Sequence, residues 1–216
     1  MVKNRTALIN EIRGLCLEYG IIVSPGAAKV KRSLCSIIGD ATTELTESSR
    51  ECMKNFYEEL TELEARLKKL NQKVRQLCQH NETCRRLLKI PGVGELTATA
   101  VVAAVPNANE FKNGRHMSAW LGLVPRQSFS GDKQVLLGIS KRGDRYLRTL
   151  LIHGARAALS HYKKTETGYG RWLVERETTL SFNKAAVALA NKNPRIIWSL
   201  LHTGEEFNSN VQMAAA

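Results

Sequence analysis

The stretch Ser140-Lys141-Arg142-Gly143-Asp144-Arg145-Tyr146-Leu147-Arg148 brings together one aliphatic hydroxyl, four permanent positive charges and a glycine break. A hydroxyl among cations is equipment for work on a phosphate ester. The oxygen can attack phosphorus, and the cations can hold the phosphate and the charge that grows on it. A free serine hydroxyl is a weak nucleophile, so this chemistry needs activation by its surroundings. An apolar run follows at helical spacing: Leu147, Leu150, Leu151, Ala155, Ala158 and Leu159. The expectation is a strand or loop that delivers Ser140 to the mouth of a helix, with Arg145 and Arg148 on its first turns. A helix start offers free backbone N–H groups and a positive dipole end, both suited to a phosphate. Cations in the same place oppose that dipole and cost stability unless an anion answers them. The plainer alternative is that Ser140 or Asp144 serves only as a helix cap.

The balance of the whole chain favours a polyanionic partner. Its 216 residues carry a formal net charge of +12, a surplus most often answered by nucleic acid. The surplus is concentrated. Between Phe111 and Thr165 stand Lys112, Arg115, Arg126, Lys133, Lys141, Arg142, Arg145, Arg148, Arg156, Lys163 and Lys164 against Asp132 and Asp144 alone. Five cysteines (Cys16, Cys35, Cys52, Cys78, Cys84) form no C-x-x-C pair and read as reduced, mostly buried thiols. Cys78, His80 and Cys84 fit no zinc spacing, and no metal site is expected. No apolar run approaches the roughly 18 residues of a spanning helix, and no signal peptide opens the chain. A cytoplasmic, nucleoid-associated protein without a membrane partner is the corresponding expectation.

The elements that must position the basic segment read as mainly α-helical. Leu8, Ile9, Ile12, Leu15, Cys16 and Tyr19 make a one-sided helical stripe over residues 3–19, ended by Gly20. After a Ser24-Pro25-Gly26 turn, Val30, Leu34, Ile37 and Ile38 mark a second helix running to Gly39. From Met53, the residues Phe56, Leu60, Leu63, Leu67, Leu70, Val74 and Leu77 alternate three and four apart. That is the pattern of a coiled-coil seam, and at about 1.5 Å per residue it spans roughly 36 Å. The seam needs a partner, either the first helix folded back or a second copy of the chain. Leu87 to Ala100 then reads as two apolar helices joined by Pro91-Gly92-Val93-Gly94, the pattern of a helix-hairpin-helix. There Gly92, Gly94 and Lys89 are candidates for contact with a phosphate backbone; the alternative is a tight turn between packed helices. A short helix before Pro125, a β-hairpin about Gly131-Asp132, and helices beginning near Gly168 and Phe182 complete the reading, with a kink or a fresh start at Pro194. The chain thus divides into a helical, coiled-coil region over 1–80 and a compact helical domain over 81–206. Within the latter, the helix-hairpin-helix covers about 82–105 and the serine-bearing basic segment about 126–160. A flexible tail over 207–216 is expected.

Several stretches together resemble the IS110 family of bridge-RNA-guided insertion-sequence transposases, and in detail its IS1111 branch. They are Leu88-Lys89-Ile90-Pro91-Gly92-Val93-Gly94, Leu121-Gly122-Leu123-Val124-Pro125-Arg126, Leu137-Gly138-Ile139-Ser140-Lys141-Arg142-Gly143-Asp144-Arg145-Tyr146-Leu147-Arg148, and Phe182-Asn183-Lys184-Ala185-Ala186-Val187-Ala188-Leu189-Ala190-Asn191-Lys192-Asn193. The resemblance covers nearly the whole chain. It implies an N-terminal RuvC-like domain with four acidic metal ligands, a coiled coil, and a C-terminal transposase domain whose serine attacks DNA and becomes joined to it. By that resemblance Ser140 is the nucleophile, with Ser128 and Ser130 as its nearest competitors. Lys141, Arg142, Arg145, Arg148 and Arg126 are candidates for holding nucleic acid. No acidic cluster of this sequence replaces the RuvC-like domain, so the chain is expected to hold no cofactor itself, with Mg2+ required only alongside that domain. The expectation is the C-terminal, serine-bearing half of a transposase, one that homo-oligomerises through the coiled coil and binds DNA and a guide RNA without completing strand exchange alone. The alternative function is a non-catalytic nucleic-acid-binding dimer.

Overall fold

The computed structural model describes residues 1–40, 42–43, 45–130, 133–161 and 167–209. The expected hairpin turn at Gly131-Asp132, Lys163, Lys164 and most of the expected tail lie outside the described residues. The fold is mainly α. In chain order the helices α1 (Val2–Glu18), α2 (Ala27–Gly39), α3 (Glu47–His80), α4 (Glu82–Leu87), α5 (Glu95–Ala104) and α6 (Gly114–Trp120) precede a two-stranded antiparallel sheet. The strands are β1 (Pro125–Ser130) and β2 (Lys133–Ile139), and α7 (Arg145–His161), α8 (Gly168–Thr179) and α9 (Phe182–Thr203) follow. No helix among the described residues is long and apolar enough to cross a membrane. The chain falls into two compact units, Met1–Lys73 and Val74–Ala216, a division seven residues earlier than the 80/81 boundary suggested by the end of the seam.

In the first unit the apolar stripes meet as their spacing dictates. Leu8, Ile12 and Cys16 of α1, Val30, Leu34 and Ile37 of α2, and Met53 and Leu60 of α3 are buried in one cluster. The early part of the seam is therefore spent on the chain's own helices. Arg50 closes the exit of α2: its guanidinium donates to the carbonyls of Ile37, Ile38, Asp40 and Thr43, groups that a helix end leaves without partners. Further along α3 the seam residues Leu70 and Leu77 are 46% and 66% exposed.

The second unit is built around α7 and α9, whose apolar faces supply Leu147, Leu151 and Ala155, and Leu189, Ile196 and Ile197, to a single core. Pro194 does not restart the last helix, one of the two outcomes expected from sequence; α9 runs continuously through it. A proline inside a helix lacks one N–H. Here the burial of Asn193, Pro194, Ile196 and Ile197 holds the backbone in place. Asn193, fully buried, donates from Nδ2 to the Pro91 carbonyl at 3.0 Å and so ties the Pro91-Gly92 turn to α9.

That turn also fixes α7 by a backbone-to-backbone contact. A Cβ placed on Gly154 would lie 1.9 Å from the Gly92 carbonyl oxygen, and one placed on Gly92 (φ +85°) would lie 2.8 Å from the Gly154 oxygen. No side chain fits on either side of this contact, and a real Cβ would push the turn away from the helix. Gly154→Ala should therefore destabilise the protein by about 1–3 kcal/mol or more. Gly14→Ala, in the interior of α1 with open space about it, should stabilise by about 0.5–1 kcal/mol. Thermal unfolding of the two variants checks the contrast.

Candidate nucleic-acid interface

Ser140 stands where β2 ends and the approach to α7 begins. Ile139, its neighbour, is half-buried and packs on the core. Successive side chains of a strand point to opposite sides, so anchoring Ile139 inward turns the Ser140 hydroxyl outward, and Ser140 is half-buried at the surface. The pairing slips just before this point. Gln127 faces Leu136 and Pro125 faces Ile139, so Leu137 and Gly138 together oppose Arg126. The extra residue is a β-bulge, a device that re-aims the strand beyond it.

The loop after the strand is strapped to the turn that follows α6. The Ser140 N–H donates to the Val124 carbonyl at 2.9 Å and the Lys141 N–H to the Gly122 carbonyl at 3.0 Å. Backbone meets backbone here too: a Cβ on Gly143 (φ +103°) would lie 1.7 Å from the Trp120 oxygen, and one on Gly122 would lie 2.0 Å from the Arg142 oxygen. Lys141 itself takes φ 57°, a left-handed conformation that costs an ordinary residue roughly 1–2 kcal/mol. It is held there by the bond to Gly122.

Of the two cap candidates, Asp144 takes the part. Its Oδ1 accepts from the Leu147 N–H at 2.8 Å, and its carbonyl accepts from Arg148 at 3.2 Å. The Ser140 Oγ has no hydrogen-bond partner among the described residues. Lys141, Arg142 and Arg145 are all exposed beside it. Arg126, opposite the bulge, is exposed as well, as is Ser128 on β1; the side chain of Ser130 lies outside the described set. The segment thus presents a surface hydroxyl, three surface cations and the N-terminus of a 17-residue helix in one place.

Arg148 does not join them. It is only 9% exposed, and its guanidinium donates to the Leu121 carbonyl at 3.0 Å. Its position one turn into α7 carries it under the loop rather than over it, so it braces the post-α6 turn from below. The helix-hairpin-helix candidates are likewise dispersed. Gly92 is occupied by its contact with α7, whereas Gly94 begins α5 with open space where a Cβ would stand. The first turn of α5 already carries Glu95, which pairs with Arg75 at 3.0 Å. Lys89 pairs with Glu206 at 2.5 Å, and that contact holds the Glu206 carboxyl below its usual range. Arg86 donates to the Gly204 carbonyl beside it.

The cysteine reading resolves in the same way. All five thiols are free, and burial together with the neighbouring Cys78 pushes Cys84 up to about 11. His80 is exposed and bonds the Gln76 carbonyl through Nδ1. Among the described residues no group of three or more His, Cys, Asp or Glu side chains could hold a metal ion, so the residues present do not fit a magnesium centre. Missed from sequence were the brace at Arg148 and the roles of Gly122, Gly143 and Gly154. The glycines themselves were visible in the sequence, but not the backbone segments they approach.

The strap and the cap can be weighed separately. Arg148→Met leaves the Leu121 carbonyl buried without its donor and should cost about 1–3 kcal/mol. Asp144→Ala removes the α7 cap and should cost about 1 kcal/mol. Urea unfolding of both variants measures the difference.

Comparison with known proteins places this geometry. The chain is 45% identical over 207 residues to the transposase for insertion sequence element IS1111A of Coxiella burnetii, which covers 96% of this chain and 57% of that protein. It is 42% identical over 202 residues to a probable family 20 transposase of Pseudomonas aeruginosa, with 93% and 60% covered. It is 31% identical over 208 residues to the transposase for IS1328 of Yersinia enterocolitica, with 96% and 61% covered. The chain thus spans a little over half the length of these relatives. Residues 84–170, which run from α4 past α7 and include Ser140 and its cations, match the transposase domain of the IS116/IS110/IS902 family.

Proposed function

We propose that this chain acts in DNA transposition, with the Ser140 surface as the place where a backbone phosphate of DNA is received. What supports the reading is the outward turn of Ser140 at the start of α7, beside exposed Lys141, Arg142 and Arg145. A phosphate seated there meets the first-turn N–H groups that Asp144 does not engage, together with three cations. The Asp144 cap fixes the helix start without drawing the serine into it. Arg126 extends the positive surface along the hairpin.

In the chemical step of this proposal, the Ser140 Oγ forms a bond to phosphorus and the bridging bond from phosphorus to a deoxyribose oxygen breaks. The hydroxyl proton is lost as the bond forms, and the departing oxygen is protonated. Lys141, Arg142 and Arg145 hold the charge that accumulates on the non-bridging oxygens. The described residues of this chain do not assemble a magnesium site. Such a metal belongs, by family resemblance, to an acidic domain. One observation favours a second reading, a nucleic-acid-binding protein without catalysis: no side chain among the described residues stands as a base on the Ser140 hydroxyl. A guide RNA would be held by the same phosphate chemistry, which carries no sequence information.

Self-association belongs to the same proposal. Leu70 and Leu77 continue the spacing of the buried Met53 and Leu60 yet remain exposed, and a second copy of α3 would cover them by the same knobs-into-holes packing. Replacing both with Lys should leave the fold intact and convert an oligomer to a monomer in sedimentation velocity. An unchanged sedimentation coefficient refutes this part.

Ser140→Ala, placed in this chain and at the equivalent serine of the Coxiella relative, tests the catalytic reading. Covalent DNA capture should vanish in the relative while duplex affinity changes less than about twofold in both. Retention of the covalent adduct sinks the nucleophile, and binding unchanged by the substitution with no adduct formed even by the unaltered proteins favours the second reading. Replacing Arg142 and Arg145 together with Gln should lower the slope of log affinity against log salt by about two.

A further inference from the structure

A second cationic cluster lies on elements that the Ser140 surface does not use. Lys192 of α9 sets its ammonium 4.1 Å from the centre of the Trp172 ring, and the Arg176 guanidinium stands 5.7 Å from the same ring. Each cation gains from the ring's negative face, so Trp172 gathers two positive charges that would otherwise repel each other. Arg195, one turn beyond Lys192, adds its field to the pair, and Arg115 at the start of α6 acts on Arg195 in turn. Against these, the acid acting on Lys192 is Glu175, an exposed carboxylate 3.5 Å from Arg176. A surface pair of that kind contributes about 0–1 kcal/mol.

The cost of the arrangement falls on Lys192. Burial first, then Arg195 and Arg176, lowers its ammonium to about 8. A lysine lowered on folding contributes stability that is fully present only above the usual lysine range and is lost as pH falls through about 8. At neutral pH that contribution is absent, and the contact with the Trp172 ring is what favours the ammonium there.

We infer that Lys192 and Arg176, gathered on Trp172, form a second nucleic-acid contact that takes a backbone phosphate at the α8–α9 surface. The ring is already engaged by cations, so the site holds phosphate and does not stack a base. It is blind to sequence and adds to the total salt dependence. This inference rests on the nucleic-acid reading above, but it concerns different residues and can fail separately.

The test uses the full chain and a fluorescent duplex DNA. Lys192→Met keeps the apolar stem on Trp172 and removes the charge. It should raise the melting temperature at pH 7 while weakening the duplex about three- to tenfold, and should lower the salt slope by about one. Arg176→Gln should weaken binding in the same direction, and duplex DNA should raise the Lys192 titration seen by NMR in the parent chain. Wild-type affinity and slope in both folded variants, with a Lys192 titration unmoved by DNA, overturn the second contact while leaving the Ser140 reading intact. Absence of duplex binding by the parent chain overturns both.

Discussion

The domain depends on a close approach of backbone to backbone between the turn after α6 and the loop before α7. Three donors tie the two together: the Ser140 and Lys141 N–H groups and the buried guanidinium of Arg148. Gly122 and Gly143 allow the strands of chain to come within a distance that any Cβ would prevent. Hydrogen bonds of this kind are individually modest, about 0.5–1.5 kcal/mol net. Together they hold Lys141 in a conformation it would not adopt alone. A hydroxyl placed by such a loop keeps its position without a side-chain hydrogen bond of its own.

The same economy recurs between α7 and the Pro91-Gly92 turn. Gly154 and Gly92 meet face to face, and Asn193 reaches across from α9 to the Pro91 carbonyl. The helix that carries the basic segment is thus fixed at two heights by backbone contacts and between them by the apolar side chains of the core. That rigidity fixes the backbone from which Lys141, Arg142 and Arg145 extend, so only their exposed side chains remain to be ordered when an anion binds.

Much of this was legible in the sequence. The spacing of Leu8, Ile12, Val30, Leu34, Met53 and Leu60 marked the first core, and the break at Gly143 before a Leu147, Leu151, Ala155 stripe marked the start of α7. The hairpin was visible from its flanking runs. What escaped has identifiable causes. Arg148 was counted with its neighbours because charge is read one-dimensionally, whereas its place on the helix turned it inward. Pro194 was expected to interrupt α9, because local propensity does not register how firmly buried neighbours hold a helix. The Trp172 cluster joins residues 20 apart on two helices, Trp172 with Lys192, and no periodicity links them. Gly92 is a further case: a close backbone approach was expected of it, but the partner it approaches is α7.

Arg148 and the bonds around Gly122 fix Ser140 relative to α7 without using the ladder of the hairpin. The distance from serine to helix start is thus decoupled from the length of the strands that lead to it. A longer or shorter hairpin would reshape what this arm touches while Ser140 stayed in register with the start of α7.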